Sequence, residues 1–340
     1  MRPEDISSAR AHASPASSLN RGDRHAMTEA ARLFYLQDVS KKDIALQLGI
    51  SRFRVARLLT QARETGLVTI SIHDVAPVDE RLSRQLSDHW GVSAVVVRCA
   101  GAALPDARVA VGQAAAELFM DVVTEDEIVG LAWGRTLAAM TDYLTLMPRL
   151  SIVQLTGAVT SDIDASPVEL IRRACLSTGG RAYPIIAPAI VGDAAALAAL
   201  KEHPDVRAAV VLFDHITTAF ISVGSWDSQG SQIFAILPPS ESQRLTNMGV
   251  SAEVSGVFFD QRGHIVAEDL SERYLSISAN QLRRVPRVVA AAGGLAKLAA
   301  TRSVVQSGLI TDLVTDHTLA EAALVEPSVR PLPNPDRMAS

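Results

Sequence analysis

Residues 40–72 read "SKKDIALQLGISRFRVARLLTQARETGLVTISI", and this stretch decides how the chain is organised. Ser40 followed by Lys41, Lys42 and Asp43 has the form of a capping box, a hydroxyl for the orphan amides and an acid three residues on. The helix it opens spans 41–48 and buries Ile44, Ala45 and Leu48. Gly49 then stands where a helix C-terminus needs positive φ. Ser51 caps the next helix, which runs to Glu64 before Gly66 stops it. At roughly 100° per residue, Leu58, Leu59 and Ala62 fall within about 60° of Val55, while Phe53, Arg54, Arg57 and Gln61 fall opposite. A helix, a glycine turn and a second helix with outward arginines near its start is the geometry of a helix-turn-helix entering a major groove. The planar guanidinium fork suits both guanine edges and phosphates. Residues 67–72, "LVTISI", alternate apolar and polar side chains as the strand of a wing would. Upstream, 28–38 sets Ala31, Leu33, Phe34 and Leu36 at helical spacing. The candidate DNA contacts are Lys41, Lys42, Ser51, Arg52, Phe53, Arg54 and Arg57.

Charge sharpens this reading. The 340-residue chain carries a net charge of −5. Residues 1–76 hold 11 Lys/Arg against 8 Asp/Glu, whereas 77–340 hold 21 against 29. Within 24–70 the counts are 8 and 4. A positive module on a negative body suggests a polyanion-binding head on a body with another task. Arginines along one helix are commonly plain solvated surface; here cap, glycine, apolar seam and charge agree on DNA. With 48% apolar and 20% charged residues the composition is that of a globular protein. Cys99 and Cys175 are the only cysteines and lack CxxC spacing, which argues against a zinc finger or disulfide scaffold and suits a reducing cytoplasm. No run approaches the roughly 20 apolar residues of a membrane helix, and residues 1–26 lack the apolar core of a secretory signal. No metal or cofactor is expected.

From residue 77 onward, short apolar strands alternate with helices. After an amphipathic helix at 78–90, candidate strands are 92–99, 127–131, 151–155, 181–186, 208–213, 256–259, 288–291 and 312–314. Candidate helices are 109–123, 135–146, 167–176, 194–200, 294–307 and 318–324. This is α/β order with a mostly parallel sheet, in which small molecules bind where strands end and helices begin. Three turns fit. "GLAWGRTLAAM" passes through Gly134 into a helix with Arg135 and Thr136 in its first turn, where amides, a hydroxyl and a guanidinium could hold a phosphate or polyol. "VQLTGAV" ends a strand at Thr156 and Gly157 with amides left free. "VVAAAGGLAKLAA" repeats the design at Gly293, Gly294 and Lys297. Singly, each is ordinary turn chemistry, and Lys297 lacks the GxxxxGK[ST] context of a Walker loop. Together they suggest one anion-friendly crevice.

At these residues the chain resembles the SorC family of bacterial sugar-responsive transcriptional regulators over about residues 27–325. The matching landmarks are "ISRFRVARLLTQARETGLVTISI", "WGRTL", "VQLTGA", "AEVSGVFFDQRGHIV" and the long "VAAAGGLAKLAATRSVVQSGLITDLVTDHTLAEAAL". The likeness implies a small winged helix-turn-helix head joined to a larger Rossmann-like α/β body of the sugar-phosphate isomerase and deaminase kind. It also implies a homo-oligomer, a dimer or tetramer, whose operator affinity is set by a sugar, polyol or sugar phosphate. Matched by motif, the effector-binding residues are Gly134, Arg135, Thr136, Gly157, Asp260 of "FFD" and Lys297. The chain departs from the family's usual Gly-Val-Gly before this loop with Gly130, Leu131 and Ala132, and it carries Phe53 where small residues or proline are frequent.

An alternative is an isomerase or deaminase with an accessory nucleic-acid-binding head. That chemistry needs a general acid and base aimed at one carbon; the candidates are Asp214 with His215, Asp260, Asp312 and Asp316. Asp316, just ahead of Thr318 and Glu321, reads instead as helix-start chemistry, with Thr318 to Glu321 as a capping box. No catalytic constellation stands out, so no catalytic residue is assigned. A small-molecule carrier without DNA binding is disfavoured by the arginine face. The expected organisation is a disordered tail (1–26), a DNA-binding head (27–76), an effector and oligomerisation body (77–325) and a disordered tail (326–340).

Overall fold

The computed structural model describes residues 21–70, 75–99, 104–159 and 166–334. They fall into two compact units divided between Asp74 and Val75.

The head is three helices, α1 (Arg21–Tyr35), α2 (Lys41–Leu48) and α3 (Arg52–Glu64). Ser40 and Ser51 each take an extended backbone and accept the amide of the residue three on, Asp43 and Arg54. The box at Ser40 is only half closed, because Asp43 takes the Ser40 hydroxyl rather than its amide. Gly49 adopts the left-handed conformation at φ 64°, and the Ile50 amide reaches back to the Ala45 carbonyl, ending α2 within one turn. Val55, Leu58, Leu59 and Ala62 of α3 pack on Ile44 and on Met27, Ala30 and Ala31 of α1. That packing corrects two expectations. The first helix begins at Arg21, inside the supposed disordered tail, because Met27 gives it an anchor in the core. Leu36 lies beyond its end and is exposed. Residues 67–70 form no strand, since alternation alone gives a strand no hydrogen-bonding neighbour; Ser71 and Ile72 of the expected wing lie outside the described residues.

The body is built on a seven-stranded parallel sheet of β1 (Ser93–Val97), β2 (Ile128–Leu131), β3 (Ser151–Gln154), β4 (Arg181–Tyr183), β5 (Thr218–Ser222), β10 (Arg287–Ala292) and β11 (Asp312–Asp316). A small antiparallel sheet holds β6 (Gly224–Ser225), β7 (Ala252–Val254), β8 (Val257–Phe259) and β9 (Ile265–Val266). The parallel order is β1-β11-β10-β5-β2-β3-β4. From β2 the chain moves outward to β3, and from β5 it moves the other way to β10. The seam between β2 and β5 is therefore a topological switch point, where the loops at the strand ends part and leave a crevice. The parallel strands are buried on both faces and read as continuous apolar runs, Val288 to Ala292 being fully buried.

Two departures bear on the site. Residues 208–213, expected as a strand, lie in the helix Pro204–Val210 and the 3₁₀ turn Phe213–His215. Val206, Ala209 and Phe213 are buried while Val211 is half exposed, which is helical spacing. The strand comes five residues later, as β5. Residues 256–259 do form a strand, but in the antiparallel insert between β5 and β10. The C-terminal segment is also more ordered than expected up to residue 334. Val329 is buried, and the Leu332 amide donates to the Gln306 carbonyl at 2.8 Å. A proline-rich segment without helical pattern can still pack as extended chain.

Candidate functional site

The crevice at the switch point is assembled from three strand ends and the insert. Gly134 leaves β2 and opens the helix Arg135–Thr141 with φ 142° and no capping side chain, so the first-turn amides keep no side-chain partner. A β-carbon on Gly134 would sit 2.2 Å from the Ser222 hydroxyl at the end of β5; only glycine lets these two strand ends approach. β6 pairs with β7 in the register Gly224 to Glu253, which lays the Glu253 side chain over Gly224 and into the crevice. From β10 the chain turns at Gly293 and Gly294 and delivers Lys297. The open crevice so formed is bounded by Arg108, Gly134, Arg135, Thr136, Ser222, Glu253, Ser255 and Lys297 among others.

The crevice wall carries buried charge of both signs, Lys297 and Glu253. Lys297 is 8% exposed and donates to the Val223 carbonyl. Burial, then the neighbouring Arg108 and Arg135, push its pKa down to about 8. Burial likewise pushes Glu253 up to about 7, against the Gly256 amide and Lys297, which act the other way. The Arg108 guanidinium is held below its ordinary value by burial and then by Arg135. Arg135 donates to the Gln229 carbonyl. Asp227 fixes the same loop by accepting the Ser225 hydroxyl at 2.8 Å and the Gln229 and Gly230 amides at 2.8 and 2.7 Å. Burial opposes its ionisation, but these donors outweigh it and hold the carboxyl below its ordinary value. The Ser255 hydroxyl is buried without a hydrogen-bond partner among the described residues. A buried orphan hydroxyl costs free energy unless a ligand or water satisfies it.

Of the residues expected to hold an effector, the crevice gathers Gly134, Arg135, Thr136 and Lys297. Gly157 and Asp260 are not on its wall. The Gly157 amide, expected to be free, donates to the Leu275 carbonyl at 2.7 Å. Asp260 closes the β8–β9 turn, accepting the Arg262 and His264 amides at 2.8 and 2.9 Å. Glu253, Arg108, Ser255 and Ser222 escaped the sequence reading. Glu253 left a signal, the single charged residue of the run 252–259; the others left none.

The acids considered for catalysis serve the framework instead. Asp214 pairs with Arg284 at 2.5 Å. Asp312 accepts the Thr311 hydroxyl at 2.6 Å. Asp316, rather than Thr318, caps the helix His317–Val325, bonding the Thr318 and Leu319 amides while its other oxygen takes the Gly294 amide. Cys99, Asp316 and His317 bring donor atoms within 4.8 Å of one another. Both Asp316 oxygens are committed to those amides, and the His317 Nδ1 accepts the Cys99 amide at 3.3 Å, so the cluster reads as a structural corner.

In the head, Arg52, Phe53, Arg54 and Arg57 are exposed on α3, with Phe53 at 89%. Arg54 is tied to Asp23 of α1 at 3.1 Å. Lys41 sits over the Phe34 ring, 5.3 Å from its centroid, Lys42 is exposed, and Ser51 is occupied as a cap.

A small helix-turn-helix unit and an α/β unit with a charged crevice at its switch point are the two parts of a transcriptional regulator with a ligand-binding domain. Residues 78–325 match the family model described as "Putative sugar-binding domain". The chain belongs to this family, in the SorC group of transcriptional regulators. It is 28% identical over 312 residues to the transcriptional regulator YjhU of Escherichia coli (strain K12), covering 87% of this chain and 93% of that one. It is 27% identical over 309 residues to the erythritol catabolism regulatory protein EryD of Brucella abortus (strain 2308), covering 88% and 96%. The crystal structure of the full-length sorbitol operon regulator SorC from Klebsiella pneumoniae superposes with a TM-score of 0.67 at 25% identity, over 90% of this chain and all of that one. These relatives are regulators rather than enzymes, and so is this chain. No helix among the described residues is long and apolar enough to cross a membrane.

Proposed function

We propose that the crevice binds a small phosphorylated sugar or polyol and that its occupancy sets the grip of the head on operator DNA. One observation carries this reading. Arg108, Arg135 and Lys297 converge on a crevice that also holds Glu253 and the unpartnered Ser255 hydroxyl. Three cations supply the charge-assisted donors a phosphate needs, and a carboxylate with hydroxyls supplies the partners a polyol chain needs. Names such as sorbitol operon regulator and erythritol catabolism regulator support an operon for the use of a carbohydrate or polyol as the controlled target. The head would meet duplex DNA through Lys42, Arg52, Phe53 and Arg57, with Lys41, Ser51 and Arg54 holding that surface in shape. One helix-turn-helix reads only a short site, so a dimer or tetramer in the cytoplasm, reading a palindrome with paired heads, completes the reading.

The test is a thermal-shift screen of sugars, polyols and their phosphate esters, followed by calorimetry on any hit. A specific ligand stabilises by mass action, by about 2.7 kcal/mol at a hundred times its Kd. A phosphate ester should stabilise the protein and change operator affinity. Stabilisation by an uncharged polyol alone, with its phosphate inert, would overturn the assignment of the three cations.

A further inference from the structure

The most exposed aromatic side chain of the described residues is on the one surface where a regulator reads sequence. Phe53 is 89% exposed in the first turn of α3, and Arg57 follows four residues later, about 40° away around the helix axis. Both point away from Val55, Leu58, Leu59 and Ala62, which fill the head core. Arg54, in the same turn, is tied to Asp23 by an ion pair, and Arg52, also exposed, lies about 100° from Phe53 around the axis. The side of the helix centred on Phe53 is thus one large apolar ring beside Arg57, which has no ion pair among the described residues.

From this face we infer that Phe53 and Arg57 read adjacent bases in each operator half-site, Phe53 a thymine and Arg57 a guanine. The inference rests on the head being the DNA-binding unit. An exposed phenyl ring can donate and accept nothing, so it discriminates only by what it packs against. In a major groove lined with hydrogen-bonding edges, the apolar group that distinguishes one base pair from another is the thymine C5-methyl. A cytosine or purine at that position would set the ring against a polar edge that loses its water and gains no partner. Arg57, with a planar fork, suits the O6 and N7 acceptors of guanine. The positive balance of residues 24–70, 8 basic against 4 acidic, favours a nucleic acid over an apolar protein partner on this face.

The test uses the full-length protein and a duplex that it selects from a randomised pool. Each thymine of the selected duplex is replaced in turn by deoxyuridine, which removes only the methyl group. One position per half-site should lose about fourfold in affinity, the worth of one buried methyl-sized group. Phe53→Ala should weaken binding to the parent duplex and abolish the sensitivity at that position alone. Arg57→Ala should weaken binding and leave the deoxyuridine effect in place. If Arg57→Ala weakens binding but no position shows a Phe53-dependent methyl effect, this inference is wrong and the DNA-binding head stands. If neither variant changes affinity for the selected duplex, the DNA-binding reading of the helix fails as well. Phe53 is exposed, so its loss leaves the fold intact, and an unchanged melting temperature confirms that.

Discussion

Head and body use cations in opposite ways. The head carries Lys42, Arg52 and Arg57 in solvent, on a unit whose interior is fixed by eight buried apolar residues. The body draws Lys297, Arg108 and Arg135 inward, around a crevice where burial holds the Lys297 pKa near 8. Exposed cations retain their hydration and meet a polyanion by releasing its counterions, a long-range effect weakened by salt. Lys297, which is buried, lost its hydration at folding, whereas the half-buried Arg108 and Arg135 keep part of theirs. A surface for a large, uniform partner can therefore be assembled from ordinary residues, whereas a small-molecule site needs close backbone approach and compensated charge. The largest mutational effects should thus fall in the body and the most salt-sensitive ones in the head.

The strongest disruption should come from Gly134→Val. Its φ of 142° is unfavourable for a branched residue, and its β-carbon would strike the Ser222 hydroxyl. Effector binding should fall at least about a hundredfold, the scale of several kcal/mol of strain and impaired fit. DNA binding without effector should stay near wild type, because the substitution lies in the body. Calorimetry beside an operator titration checks this; wild-type effector affinity would show that the crevice does not close around Gly134.

Next comes Lys297→Ala. Removing one charge-assisted bond to a phosphate costs roughly 1.5–3 kcal/mol, so effector affinity should drop about ten- to a hundredfold. An uncharged polyol should lose much less, and the ratio of the two losses reports the ligand's charge. Equal affinities for wild type and variant would leave Lys297 without a role in binding.

The contrast between the two regions also explains what could be read from sequence. Ser40, Gly49, Ser51 and the Val55 seam are local signals, each acting within one turn of its neighbours, and the head follows them closely. Most strands of the parallel sheet were legible as apolar runs, but residues 208–213 were not, because a short apolar run bears helix and strand alike until its packing decides. Gly134 and Lys297 stand at strand-to-helix turns and could be picked out by that pattern. Glu253 could not be assigned, because it reaches the crevice only through the pairing of β7 with β6. Asp260, the more conspicuous acid of the same motif, proves to be consumed by its own turn. Arg108 stands near the start of the helix Leu104–Val122, one residue ahead of the helix expected at 109–123, and reaches the crevice wall only through the fold.

A smaller effect is expected from pH, and it distinguishes the buried set from the exposed one. Burial raises Glu253 to about 7 and lowers Lys297 to about 8. As pH rises through 7 Glu253 becomes an anion facing the phosphate, and through 8 Lys297 loses its charge. Both changes weaken binding of an anionic effector, so its affinity should fall steadily as pH rises across this window. Glu253→Gln should flatten the lower part of the curve and leave the upper part. Stability without effector follows from the same two shifts. A raised carboxyl pKa destabilises the fold progressively as pH climbs from the ordinary value toward 7. A lowered lysine pKa destabilises it progressively as pH falls from the ordinary lysine value toward 8, and in full below that. An affinity that climbs with pH would contradict the placement of both groups.

The smallest effect should separate two arginines of one helix. Arg54 and Arg57 are both exposed, yet Arg54 is paired with Asp23 and Arg57 has no ion pair among the described residues. An exposed pair contributes roughly 0.2–1 kcal/mol, so Arg54→Ala should lower the melting temperature of the head slightly. Arg57→Ala should leave that melting temperature unchanged. In operator titrations across a salt series the order reverses. Removing one phosphate-binding cation flattens the slope of log K against log salt by about 0.9, whereas removing a base-reading group weakens binding with little change in slope. Arg57→Ala should therefore weaken binding at every salt concentration more than Arg54→Ala does. If Arg54→Ala shows the larger loss, the Asp23 pair opens on DNA and Arg54 belongs to the reading face. The face would then include the side of the helix toward α1, and its two arginines would have exchanged roles.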